Sequence, residues 1–125
     1  MVRNTHAILI VNDETAYADF LKRDLNVKFP AIDVNIADSG ESALKMINDN
    51  LYDLIIAEMA LPGMGGINFF LEIKKLLPDV KTILLSNHLN FREKRLLEKE
   101  GIFGYLEKPF LIERFTEMIV EAMEV

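Results

Sequence analysis

Residues 53–66 read DLIIAEMALPGMGG: an apolar run ends in one carboxylate, Glu58, and enters a loop punctuated by Pro62, Gly63, Gly65 and Gly66. A strand that hands a single acid to such a loop puts that acid at a site. Other apolar runs end the same way. Asn12 and Asp13 follow HAILIV (6–11), Ser86 ends KTILLS (81–86), and Lys108 follows FGYLE (103–107). One chemistry that Asp13, Glu58 and Lys108 suggest is the acid cluster of a small Mg²⁺-dependent enzyme, such as a phosphatase. Against it, the chain offers no second acid placed for general acid–base work and no insertion to form a substrate cap.

These groups converge only if the elements behind them form one sheet. HAILIV and DLIIA (53–57) read as buried strands, short, apolar and rich in β-branched residues, and KTILLS and FGYLE as the fourth and fifth strands. IDVNIA (32–37) alternates as the second. Between them Tyr17, Phe20, Leu21 and Leu25 recur at helical spacing. Ala43, Leu44 and Ile47 follow a cap at Ser39, and Phe69, Phe70, Ile73, Leu76 and Leu77 mark a third helix. A charged helix spans roughly 89–100 and stops at Gly101, and Leu111, Phe115, Met118, Ile119 and Ala122 define a closing one. Five strands alternating with five helices predict a doubly wound α/β parallel sheet, with helices on both faces. In such sheets ligands gather beyond the carboxyl ends of the strands, where all five polar residues stand.

The 125 residues suit one domain spanning 1–125, and the balance of 50% hydrophobic to 27% charged residues is that of a globular protein. A net charge of −6 argues against nucleic acid as a direct ligand. The absence of cysteine excludes disulfides, thiolate metal sites and cysteine nucleophiles. AILIV is too short for a signal-peptide core or a membrane span, so a cytoplasmic chain with no membrane contact is expected. No Gly-rich phosphate loop follows the first strand, which weighs against a flavin or nucleotide binder.

Taken in order and spacing, ILIVNDE, DLIIAEMALPGMGG, TILLSN and GYLEKPF resemble the receiver domain of bacterial response regulators over essentially the whole chain. The resemblance implies the strand order 2-1-3-4-5 of CheY-like proteins. It implies that two acids after the first strand, with an aspartate after the third, hold Mg²⁺, and that this aspartate takes a phosphoryl group from a histidine kinase. On that pattern Asp13 matches the second acid, Ser86 the hydroxyl and Lys108 the lysine that contact phosphoryl oxygens. Tyr105 matches the aromatic that changes rotamer with that hydroxyl, and Ala60 would offer its backbone carbonyl to the metal. Lys108-Pro109 matches a pair whose peptide bond is often cis. Partners, a histidine kinase or an output domain, would dock on the face of the fourth helix, fifth strand and fifth helix, where a homodimer would also form.

Two positions depart from the pattern. Asn12 stands where the family has its first acid, and Glu58 where it has the phospho-accepting aspartate. Mg²⁺ wants near-octahedral oxygen ligands at about 2.1 Å; with one carboxylate lost and another displaced by a methylene, weak Mg²⁺ binding is expected. A displacement of about 1 Å can cost on the order of 100-fold in rate, so phosphotransfer to Glu58 is expected to be lost or impaired. The longer side chain can instead extend toward Lys108 and Ser86, as an incomplete mimic of a phosphate carrying about −1.5 to −2 charge. The expected protein is an atypical receiver that signals through protein contacts; the alternative is a working phosphorelay receiver that tolerates glutamate.

Plainer roles stand beside each of these. Asn12 and Asp13 suit a helix cap, Glu58 a loop carboxylate or a rigidifying salt bridge, Ser86 a helix cap or a local backbone bond, and Lys108 an exposed lysine. Met46, Met59, Met64, Met118 and Met123 read as core and gap fillers. His6 and His88 lack neighbours at ligand spacing, and REKRLLEKE reads as a solvated helix face.

Overall fold

The computed structural model describes residues 6–124. Strands β1 (His6–Val11), β2 (Ile32–Ala37), β3 (Leu54–Glu58), β4 (Lys81–Ser86) and β5 (Gly104–Glu107) alternate with helices α1 (Thr15–Lys28), α2 (Gly40–Asp49), α3 (Gly66–Leu76), α4 (Phe91–Lys99) and α5 (Ile112–Met123). The strands form one sheet in the order β2-β1-β3-β4-β5, every neighbouring pair parallel. This is the doubly wound α/β fold read from the sequence. The chain leaves β1 toward one edge and returns to the other side through β3, so the reversal of strand order falls between β1 and β3.

All five residues of β3 are buried, as a central strand covered on both faces requires. Successive side chains point to opposite faces, and the core divides accordingly. Ile8, Ile10, Leu54, Ile56, Ile83 and Leu85 pack with Ala18, Leu21 and Leu25 of α1 and with Phe115, Met118 and Ile119 of α5. Leu9, Val11, Ile55, Ala57 and Leu84 pack instead with Ala43 and Ile47 of α2, Phe69 and Ile73 of α3, and Leu97 of α4. The alternation continues to the strand ends. Glu58, two residues after Ile56, belongs to the α1/α5 face; Ser86, two after Leu84, belongs to the other.

The apolar stripes are narrower than the spacing predicts. Phe20 is 53% exposed because the buried face of α1 is Ala18, Leu21 and Leu25, with Tyr17 partly buried beside it, and Leu111, 74% exposed, is the N-cap of α5 rather than part of its buried face. Helix α4 begins at Phe91, two residues after the predicted start, because Asn90 caps it: Asn90 Oδ1 accepts from Glu93 N–H at 2.8 Å and Glu93 Oε1 from Asn90 N–H at 2.9 Å. Ser39 caps α2 as expected, its Oγ accepting from Ser42 N–H at 3.0 Å. Neither Asn12 nor Asp13 caps α1; that position is Glu14, which makes no side-chain cap bond.

The loop from β3 to α3 turns through Gly63 and Gly65, at φ 75° and 73°. It then brings Gly66 so near the end of β3 that a Cβ there would lie 2.4 Å from the Glu58 carbonyl oxygen. Gly66 N–H donates to Met59 O at 2.8 Å and locks that approach. Gly66→Ala is therefore expected to lower stability by about 1–3 kcal/mol, by overpacking against main chain. Urea unfolding checks this; an unchanged midpoint would mean that α3 slides away freely.

Candidate functional site

Glu58 ends β3 on the α1/α5 face and is only 6% exposed. A carboxylate so far out of water needs a partner. Lys108 supplies it: its Nζ donates to Glu58 Oε1. The lysine is fixed from behind, since its N–H donates to Ser86 O at 2.7 Å just beyond β5, and Lys108-Pro109 is cis. Its side chain is 18% exposed, and Nζ also lies 4.3 Å from the centroid of the Tyr17 ring. Burial, then the negative charges of Glu58 and Glu14, raise the Tyr17 phenol above its usual value.

Asn12 is 2% exposed. Its Oδ1 accepts from Glu14 N–H at 2.8 Å, an Asx-type turn that launches α1, while Nδ2 is buried without a hydrogen-bond partner. Asp13 is exposed. Together with Glu58, Ala60 and Ser86 it lines a cleft of about 340 Å³, which neither Asn12 nor Lys108 lines. Ser86, however, turns its hydroxyl locally: Oγ donates to His88 O at 2.8 Å and accepts from His88 N–H at 3.0 Å. Of the two groups Glu58 was expected to reach, it meets Lys108, and strand parity explains why.

Two side-chain oxygens at this site are already engaged. The Asn12 carbonyl oxygen serves Glu14, one Glu58 oxygen serves Lys108, and among the described residues no three His, Cys, Asp or Glu side chains are grouped to hold an ion.

On the neighbouring face, the Tyr105 ring packs against the α2/α3/α4 core and its hydroxyl donates to Glu98 Oε2 of α4 at 3.0 Å, a bond that raises its phenol. Lys94 of α4 pairs with Glu107 of β5 at 2.9 Å; their hydrogen bond raises the ammonium and lowers the carboxyl. His88 Nδ1 lies 3.7 Å from the same carboxylate. Sequence reasoning treated Tyr17 as a core residue and gave His88 no task. The available signal for Tyr17 was its place in the first turn of the helix that Asn12 and Glu14 launch.

The family model for the response regulator receiver domain matches residues 8–120. The chain belongs to this family. Over 117 residues it is 27% identical to the transcriptional regulatory protein GlrR of Escherichia coli (strain K12), a match covering 94% of the chain and 26% of GlrR. It is 29% identical over 119 residues to the sensor kinase CckA of Brucella abortus (strain 2308), covering 94% of the chain and 12% of CckA. The chain thus spans about a quarter of the length of the regulators it matches. Among solved structures, a response regulator receiver domain protein from Clostridium thermocellum superposes with a TM-score of 0.87 at 29% identity, covering 95% of this chain and 94% of that one. The response regulator TrrA of Thermotoga maritima, in complex with Mg²⁺–BeF, gives 0.82 at 29%, covering 94% and 99%. Among the described residues no helix of this receiver is long and apolar enough to cross a membrane.

Tyr17 offers a spectroscopic handle on the site. In a Tyr52→Phe, Tyr105→Phe background, alkaline absorbance titration is expected to find the Tyr17 phenol above the ordinary value near 10, and Glu58→Gln to bring it down, because the negative charge opposing ionisation is gone. The sign for stability follows: the neutral phenol's contribution is whole below about pH 10 and is lost as pH rises through the folded-state value. No downward movement would mean that Glu58 does not face Tyr17 in solution.

Proposed function

We propose that this receiver is an atypical one, a non-enzymatic signalling module that works through protein contacts with phosphorylation lost or strongly impaired. The observation that carries this reading is the Glu58–Lys108 ion pair. The lysine expected to contact an incoming phosphoryl group is already satisfied by the residue at the acceptor position. Acyl-phosphate formation needs a carboxylate free to attack in line and a cation to neutralise the donor. Here the carboxylate is engaged, and Asn12 brings no charge to a metal.

Mg²⁺ binding is accordingly proposed to be weak, with Asp13, Glu58, Asn12 and the Ala60 carbonyl as the groups that would have to supply it. Were Mg²⁺ bound, it would neutralise charge at the acceptor. TrrA is a complex with Mg²⁺–BeF; in this chain the internal pair competes with any such occupant. The proposed partners are signalling proteins, a histidine kinase or an output domain, in the cytoplasm. This is consistent with relatives that include transcriptional regulators and a sensor kinase. The proposed contact face is α4, β5 and α5, where Ser86 and Tyr105 would act as the switch pair, and where a homodimer would form.

One observation favours the alternative, a receiver phosphorylated on Glu58: the same carboxylate lines the open cleft with Asp13, Ala60 and Ser86. Intact-protein mass spectrometry after incubation with a small phosphodonor and Mg²⁺ separates the two, with the Asn12→Asp, Glu58→Asp double variant alongside. The expected result is a phosphoryl adduct on the variant and none on wild type. An adduct mapped to Glu58 in wild type would establish the alternative.

A further inference from the structure

Tyr17 has no part in the receiver pattern, yet it touches the one ion pair on which the proposed function rests. Lys108 Nζ donates to Glu58 Oε1 and at the same time stands 4.3 Å from the Tyr17 ring centroid. An ammonium has three donors, and the recorded bond to Glu58 employs one of them. An aromatic face offers it negative quadrupole in a place largely shielded from water. The phenol is neutral around pH 7, and burial with the charges of Glu58 and Glu14 moves its ionisation further up, so the ring presents a π-face there and not a second anion.

We propose that Tyr17 is a positioning residue: it holds the Lys108 ammonium against Glu58, so that the pair is set by the fold itself and not by an incoming ligand. The inference rests on the Glu58–Lys108 pair as the occupant of the acceptor position. Lysine carries a compact charge on a flexible four-carbon stem, and a carboxylate alone fixes the nitrogen while leaving that stem several routes to it. The surroundings remove those routes. Tyr17, Phe20, Phe110 and Ile112 line an apolar groove with Lys108, so the stem lies along apolar surface while the head turns to Glu58. Three separate elements, α1, β3 and the segment after β5, thereby meet at one charge.

Amine acetylation mapped by mass spectrometry tests this on the intact chain, with surface Lys75, 76% exposed, as the internal reference. Wild type is expected to modify Lys108 far more slowly than Lys75. Tyr17→Leu, which keeps an apolar body of similar reach, is expected to raise the Lys108 rate roughly three- to tenfold relative to Lys75, while Tyr17→Phe, which keeps the ring, stays near wild type. A Tyr17→Leu rate equal to wild type, with Lys75 unchanged, would overturn the positioning role. Accelerations of equal size in Tyr17→Leu and Tyr17→Phe would also overturn it, because the ring face would then not be what matters. Glu58→Gln distinguishes failure of the underlying reading: if it leaves Lys108 as slow as before, the ion pair itself is not what protects the lysine. The ring-current shift of the Lys108 Cε protons, present in wild type and Tyr17→Phe and lost in Tyr17→Leu, reports the same contact without chemistry.

Discussion

An ammonium and a carboxylate that leave water together must satisfy each other, and in this chain that demand joins residues 50 positions apart. Glu58 ends β3 and Lys108 follows β5, with β4 between them. The lysine's backbone is bonded to Ser86 at the end of β4, which brings its side chain within reach across that gap. The pair therefore depends on the strand order as much as on its own chemistry. In turn it ties the switch point of the sheet to its edge: removing either partner would strand a largely buried charge, which is worse than never having had the pair.

Strand parity decides which partner Glu58 meets. Glu58 lies on the α1/α5 side, where Lys108 and Tyr17 stand, while Ser86 lies on the α2/α3/α4 side and spends its hydroxyl on His88. A longer acid on this face closes on the lysine. The carboxylate pairs with Lys108, and the serine hydroxyl keeps to its own turn. Glu58, Ser86 and Lys108 stand at the same edge of the sheet, yet they are partitioned into two local arrangements.

Most of the fold was legible in the sequence, because apolar β-branched runs at even spacing admit few arrangements other than a covered parallel sheet. The rim residues were legible for the same reason: Glu58, Ser86 and Lys108 each end or follow a strand. What escaped were features that depend on which way a side chain turns. Phe20 and Leu111 have the right residue type and nearly the right spacing for the core, but one is rotated off the buried face and the other sits outside its helix. Tyr17 was visible only as a hydrophobic residue, since its contact with Lys108 joins α1 to a loop 91 positions later in the chain. Asn12 reads as a helix cap from its type, whereas its carbonyl serves a turn two residues on.

The two electrostatic ties at the carboxyl edge differ in their exposure to solvent. Glu58 and Lys108 are mostly shielded, whereas the links between α4 and β5, Lys94 to Glu107 and Tyr105 to Glu98, lie at the surface. Mobile ions screen exposed charges most strongly beyond a Debye length of about 8 Å at physiological ionic strength, weaken an exposed contact pair as salt rises further, and reach buried pairs far less. Ionic strength thus acts more on the exposed Lys94–Glu107 pair than on the shielded one. Higher salt therefore weakens the Lys94–Glu107 contribution to holding α4 against β5 more than it weakens the Glu58–Lys108 pair, while buried Leu97 keeps α4 on the sheet.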